Sequence, residues 1–256
     1  MAVNFSKAIK TIMSDNYNKT NIMIFLVVQI FVSFFVVFAQ TVNVSGNLAI
    51  VGISIPILLI CGLYIQGVPI LAANNAIFRR KGVFPGLSAF GKTLGCGIKT
   101  WAGLVCLSIL LGIITAIPLV ILAKMNPLLG ILVFLPLGII LALLYLGLYF
   151  NYIVSLNFID LLNFGKAWNF VKKSLPTLPK YAFIGILMGI TFGIFAFLAI
   201  YLLSTLKIPE NISYQVTSLL FSIISIPIIV IMTEINAQFA RTVLKLGKKN
   251  ICRKSD

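Results

Sequence analysis

Six runs of apolar residues, at about 22–39, 48–71, 101–123, 128–152, 181–203 and 217–240, divide the chain. Each is close to the ~20 residues that a helix rising 1.5 Å per residue needs to cross ~30 Å of hydrocarbon. None shows the apolar–polar alternation of a strand in a membrane barrel. The expected fold is therefore all-α: a polytopic bundle of six transmembrane helices over 22–240, preceded by an amphipathic segment 1–21 and followed by a basic tail 241–256.

The segments between the runs carry a second periodicity. At 100° per residue, Phe164, Ala167, Trp168, Val171 and Leu175 share one narrow face, and Lys166, Asn169 and Lys173 lie away from it. This predicts an amphipathic helix in the membrane interface within 155–180. Near the amino terminus Phe5, Ile9, Ile12 and Met13 oppose Lys7 and Lys10 in the same way. Within 76–100, Leu87, Phe90 and Leu94 share a face that continues to Ile98 and Trp101, although Gly91, Gly95 and Gly97 loosen any helix there by up to ~1 kcal/mol each.

Each of these segments opens with a phenylalanine, a small residue, a lysine and a small residue: Phe5-Ser6-Lys7-Ala8, Phe90-Gly91-Lys92-Thr93 and Phe164-Gly165-Lys166-Ala167. Every second apolar run carries an asparagine near its end, namely Asn75, Asn151 and Asn236. One reading is three repeated units running in one direction through the membrane, each a surface helix followed by a helical hairpin. The other is convergent interface chemistry, with the ring at the acyl boundary and the ammonium reaching water. Phe239-Ala240-Arg241-Thr242 has a similar pattern without opening a unit.

Composition agrees with a membrane protein: 60% of residues are apolar and only 10% charged, against about a quarter charged in soluble domains. The net charge is +15, and all lysines and arginines except Lys124 and Lys207 fall on one side of the six runs. The positive-inside bias then puts both termini in the cytoplasm of a multi-pass plasma-membrane protein. Because the charge is divided among four segments, it suits anionic headgroups, each interfacial cation being worth ~1 kcal/mol, and excludes nucleic acid as the expected partner. The candidate lipid contacts are Lys7, Lys10, Arg79, Arg80, Lys81, Lys92, Lys166, Lys172 and Lys173.

Reactive chemistry is sparse. The chain has no histidine, and its five carboxylates, Asp15, Asp160, Glu210, Glu234 and Asp256, are scattered among different segments. Neither a nucleophile–base arrangement nor a metal-ligating cluster can be assembled from the sequence, and no phosphate-cradling loop is present. The expectation is no catalytic residue, no cofactor and no metal. The four cysteines lie within runs or on the basic side and imply no disulfide framework.

Gln29, Gln66, Glu234 and Asn236 are the polar residues placed within or at the ends of runs. An intramembrane carboxylate is a functional candidate by default. Glu234 lies about two turns from Arg241 and the aqueous face, so a satisfied interfacial glutamate is set against an ion or proton site. Gly185, Gly189 and Gly193 recur every four residues and make a smooth groove for close helix approach. An intramolecular contact is expected there, with homodimerisation as the alternative.

The stretch from Asn74-Asn75 through Arg79-Arg80-Lys81, Pro85 and Phe90-Gly91-Lys92 to Gly97-Ile98-Lys99 resembles the first cytoplasmic segment of six-helix bacterial and archaeal membrane domains of unknown function. Asn151-Tyr152, Leu162-Asn163-Phe164, Lys172-Lys173 and Tyr181 resemble the second. More distantly the chain is similar to membrane regions fused to glycerophosphodiester phosphodiesterases. The resemblance implies the six-helix fold and adds no activity or site. Two function classes follow: a non-enzymatic membrane organiser or accessory subunit gripping anionic lipid or a cytoplasmic partner, or a channel or transporter for a small or lipophilic solute. The scarcity of polar residues within the runs favours the first. A homo-oligomer or another membrane protein is the further partner class.

Overall fold

In hydrocarbon every backbone N–H and C=O must find a partner within the chain, so long runs of Leu, Ile, Val and Phe close into helices. The computed structural model describes residues 6, 8–10, 14, 16–44, 48–80, 82–125, 127–205 and 210–244, and among these it is all-α. Helices α1 (Asn16–Val44), α2 (Leu48–Ile77), α3 (Phe90–Met125), α4 (Pro127–Ser155), α6 (Leu178–Thr205) and α7 (Glu210–Val243) are long and apolar enough to cross a membrane. Between the last two pairs lies α5 (Phe164–Ser174), a short helix. Helical turns of the 3-10 type at Leu87–Ala89 and Phe158–Leu161 precede α3 and α5.

The described residues fall into two compact units, Met1–Gly97 with Thr177–Asp256, and Ile98–Pro176. In the first unit α1, α2 and α7 pack against one another, and α6 packs along α7. Burial concentrates at the basic ends, where Ile70 to Ile77 of α2 meet a core that includes Ile235, Ala237, Phe239 and Ala240 of α7. Helix α2 crosses the opening turns of α3 with the two backbones in contact. A Cβ on Gly67 would lie 1.9 Å from the Thr93 carbonyl oxygen, and one on Gly97 would lie 1.8 Å from that of Leu63. Only glycine fits at either position.

The end of α2 is closed by a paired bond pattern, Arg80 N–H to the Asn75 carbonyl (3.0 Å) and Arg79 N–H to that of Ala76 (3.1 Å). Arg79 occupies the left-handed conformation, φ 53°, that glycine normally takes at such an end.

The second unit comprises the rest of α3, α4, the second 3-10 turn and α5. Its small core joins Leu107 of α3, Leu148 of α4 and Ala167 of α5, with Phe164 against them. Gly103 of α3 faces the Leu161 side chain, and a Cβ on Gly147 of α4 would meet the Ala167 carbonyl oxygen at 2.5 Å.

One expectation needs correction. The segment 76–100 holds no separate surface helix, because α3 runs unbroken from Phe90 to Met125. Counted from their opening phenylalanines, Ala102 and Val105 of α3 stand where Pro176 and Pro179 follow α5. Without a proline nothing stops the helix at the interface.

Candidate functional site

Helix α5 is the most amphipathic element, and its sequence fixes where it starts and stops. The Asn163 carboxamide oxygen caps it by accepting from the Lys166 N–H at 2.9 Å. The turn at 175–177 contains Pro176. The buried side is Ala167, Phe170, Val171 and Ser174, with Phe170 stacked on Phe150 of α4 at 5.2 Å. Trp168 and Leu175, expected on the same face as Ala167 and Val171, are 41% and 54% exposed. The helix is thus rotated so that its small residues meet α4 at Gly147 and its largest ring turns outward. Lys172 lies 6.0 Å from the Trp168 ring, a cation–π distance. Lys173 is exposed beside it, and Ile159 and Leu162 extend the outward apolar patch.

Lys166 behaves differently from its neighbours. Its ammonium donates to the Asp160 carboxylate at 2.7 Å, with side-chain exposures of 60% and 11%. That hydrogen bond, helped by one from Ser155, outweighs burial and holds the Asp160 carboxyl below the usual carboxylate range.

Along the opening of α3 the inward face is again small: Thr93, Cys96, Gly97 and Thr100 are buried. The apolar face read from the sequence stays outward, with Leu87, Phe90, Ile98 and Trp101 exposed. Phe90 also stacks on Tyr64 of α2 at 5.2 Å. The last residue of the recurring four-residue pattern is fully buried in every copy, Ala8, Thr93 and Ala167 all having 0% exposure. The pattern is therefore also a docking device, in which the second small residue lies against protein. Burial of Ala8 beside exposed Ile9 and Lys10 fits this at the amino terminus, whereas Lys7 and Lys81 lie outside the described residues. Lys92 is exposed.

At the basic ends of α1, α2 and α7 a polar knot forms that the sequence did not advertise. Asn18 and Asn21, one turn apart on α1, clamp Phe84 of the loop: the Phe84 N–H donates to Asn18 (3.2 Å), and Asn21 donates to the Phe84 carbonyl (2.8 Å). Asn75 donates to the Val83 carbonyl at 3.1 Å, and Arg80 reaches the Asn74 and Asn75 carboxamide oxygens at 3.4 Å. The Arg80 guanidinium also lies 5.7 Å from the Phe78 ring. The i, i+3 spacing of Asn18 and Asn21 beside a polar loop was the signal that could have found them.

Glu234 is 3% exposed and takes a 2.5 Å hydrogen bond from Arg241, so its carboxylate is satisfied in a buried ion pair. Gln238 lies at 3.5 Å from the same oxygen, and the charge of Arg79 also acts on Glu234. Asn236 accepts from the Tyr181 hydroxyl at 2.8 Å. Deeper in the span Gln29 donates to Ser225 at 2.8 Å, and Ser33 bonds Ser222, tying α1 to α7. Gln66, also placed within an apolar run, is exposed. Asn151 has its amide nitrogen buried with no hydrogen-bond partner among the described residues.

The glycine stripe is also corrected. A Cβ on Gly185, Gly189 or Gly193 would meet nothing within 4 Å, so the stripe makes no close contact among the described residues. The close approaches use Gly67, Gly97 and Gly147 instead. No family model, curated protein or solved structure matches the chain. Among the described residues the outward chemistry of α5 is an aromatic ring beside lysines.

Proposed function

We propose that this is a multi-pass protein of the plasma membrane, both termini in the cytoplasm, that acts without catalysis as a membrane organiser or accessory subunit and grips anionic lipid headgroups on its basic side. The observation that carries the reading is the rotation of α5. Its Ala167, Phe170 and Val171 side is committed to the protein, leaving Trp168 and Leu175 with Lys172 and Lys173 to face outward. An amphipathic ring beside ammonium groups is the usual equipment of a membrane interface. Lys166 is already engaged by Asp160 and contributes less.

The test is retention of phosphatidylglycerol relative to phosphatidylcholine by the full-length protein, read by native mass spectrometry. Lys172→Gln with Lys173→Gln is expected to lower that ratio about 30-fold, the worth of two interfacial lysines. An unchanged ratio would contradict the proposal, and Lys166→Gln alone should change it least. A second reading, passage of a small solute, draws on the Gln29–Ser225 and Ser33–Ser222 seam, where the Gln29 carboxamide oxygen is buried with no partner among the described residues. Solute uptake into proteoliposomes that Gln29→Leu abolishes would favour it.

A further inference from the structure

Helices α6 and α7 are joined by two aromatic contacts. At the basic end Tyr181 stacks on Phe239 at 4.3 Å and hydrogen-bonds Asn236 at 2.8 Å. Toward the other end Phe192 meets Phe221 edge-on at 5.6 Å. A groove of about 580 Å³ lies between residues 184–195 of α6 and 223–231 of α7. Its walls are hydrocarbon, with Leu187, Phe195, Ile224 and Ile228 among them. The single polar lining residue, Thr191, spends its hydroxyl on the Leu187 carbonyl at 2.8 Å. Such a site offers water no partners.

We propose that this groove holds one acyl chain of an anionic phospholipid whose headgroup sits at Lys180. Three observations select this occupant. The groove runs about 16 Å along α6, the depth of one leaflet of a ~30 Å hydrocarbon core. It lies within spans apolar enough to cross the bilayer, where hydrocarbon is the surrounding solvent. Lys180 sits one turn before Ile184, on the face that continues through Leu187, Thr191 and Phe195. Lys180 is exposed and has no ion-pair partner among the described residues. On the α7 side the corresponding charges, Glu234 and Arg241, already neutralise each other. The lysine therefore sets the charge of the headgroup, and the apolar walls set the tail. The inference deepens the lipid-gripping reading and rests on it for the sign of the headgroup.

The experiment reconstitutes the full-length protein in vesicles containing phosphatidylglycerol or phosphatidylcholine with a diazirine midway along one acyl chain. After irradiation the labelled peptides are mapped. Labelling concentrated in 184–195 and 223–231 is expected. It is lost in Thr191→Trp, which fills the groove, and in the milder Thr191→Phe should the tryptophan variant fail to fold. Lys180→Gln lowers the preference for phosphatidylglycerol about fivefold while the tail is still labelled. Lys172→Gln with Lys173→Gln leaves groove labelling unchanged, so failure of the α5 reading and failure of this one are separable. Labelling spread equally over the Gly185–Gly189–Gly193 face would overturn the proposal, as would cross-links at the groove between two copies of the chain.

Discussion

The opening of α3 and the helix α5 begin with nearly the same four residues and end in different structures. Both follow a 3-10 turn, start at the phenylalanine, and bury the fourth residue, Thr93 or Ala167, beneath a glycine of a long helix. After that point α3 continues to Met125, while α5 stops at Ser174. The two units differ in charge as well. The ion pair in the first unit, Glu234–Arg241, is buried, and the pair beside α5, Asp160–Lys166, is open on the lysine side. The docking step is thus written in the small residues, and the fate of the helix in whether prolines follow.

The buried pair gives the largest expected effect. Glu234→Gln leaves Arg241 without its counter-charge and should destabilise the protein by about 3–5 kcal/mol, measured as the loss of folded protein in a detergent denaturation series. Next, Ala102→Pro gives α3 the residue that follows α5. A proline in a helix interior costs about 3 kcal/mol, and the same assay should register it, whereas Pro176→Ala should cost far less. The two glycine crossings separate more finely. Gly67→Ala, with its new Cβ 1.9 Å from a carbonyl oxygen, should cost more than Gly147→Ala at 2.5 Å, the pair bracketing the ~1–3 kcal/mol typical of overpacking. The smallest effect is at Asp160. Asp160→Asn should change stability by less than about 1 kcal/mol, since Lys166 is largely in solvent. Because the folded carboxyl lies below its ordinary 3.8, this contribution is fully present above that value and fades as pH falls through the lower folded value. The acid limb of a pH titration of stability should therefore flatten in Asp160→Asn.

Most of the fold was legible because hydrocarbon imposes one solution on a long apolar run, and six helices long and apolar enough to cross a membrane form, the third starting well before its apolar run. The recurring Phe-small-Lys-small pattern was legible as a boundary, and its opening phenylalanines mark the first residues of α3 and α5. What could not be read was the direction each face turns. Periodicity grouped Trp168 and Leu175 with Ala167 and Val171, but the pull of Gly147 on Ala167 rotates α5 and brings Phe170 inward. The glycine stripe of α6 failed for a related reason: spacing shows that a helix can approach, and only the fold shows whether one does. Glu234 is paired within its own helix by Arg241, as the two-turn spacing allowed, whereas the charge of Arg79, past the end of α2, also acts on it and could not be read from the sequence.

The proposed function requires that α5 turn Trp168 toward anionic lipid. Trp101 is the other tryptophan of the chain, so in a Trp101→Phe background the fluorescence of Trp168 reports on its own surroundings. The decisive measurement is quenching of that fluorescence in proteoliposomes by phosphatidylglycerol or phosphatidylcholine brominated near the headgroup end of the acyl chain. Strong quenching that favours phosphatidylglycerol, and loses that preference in Lys172→Gln with Lys173→Gln, is the predicted result. A Trp168 that neither lipid quenches, and that aqueous iodide quenches freely, would contradict the account.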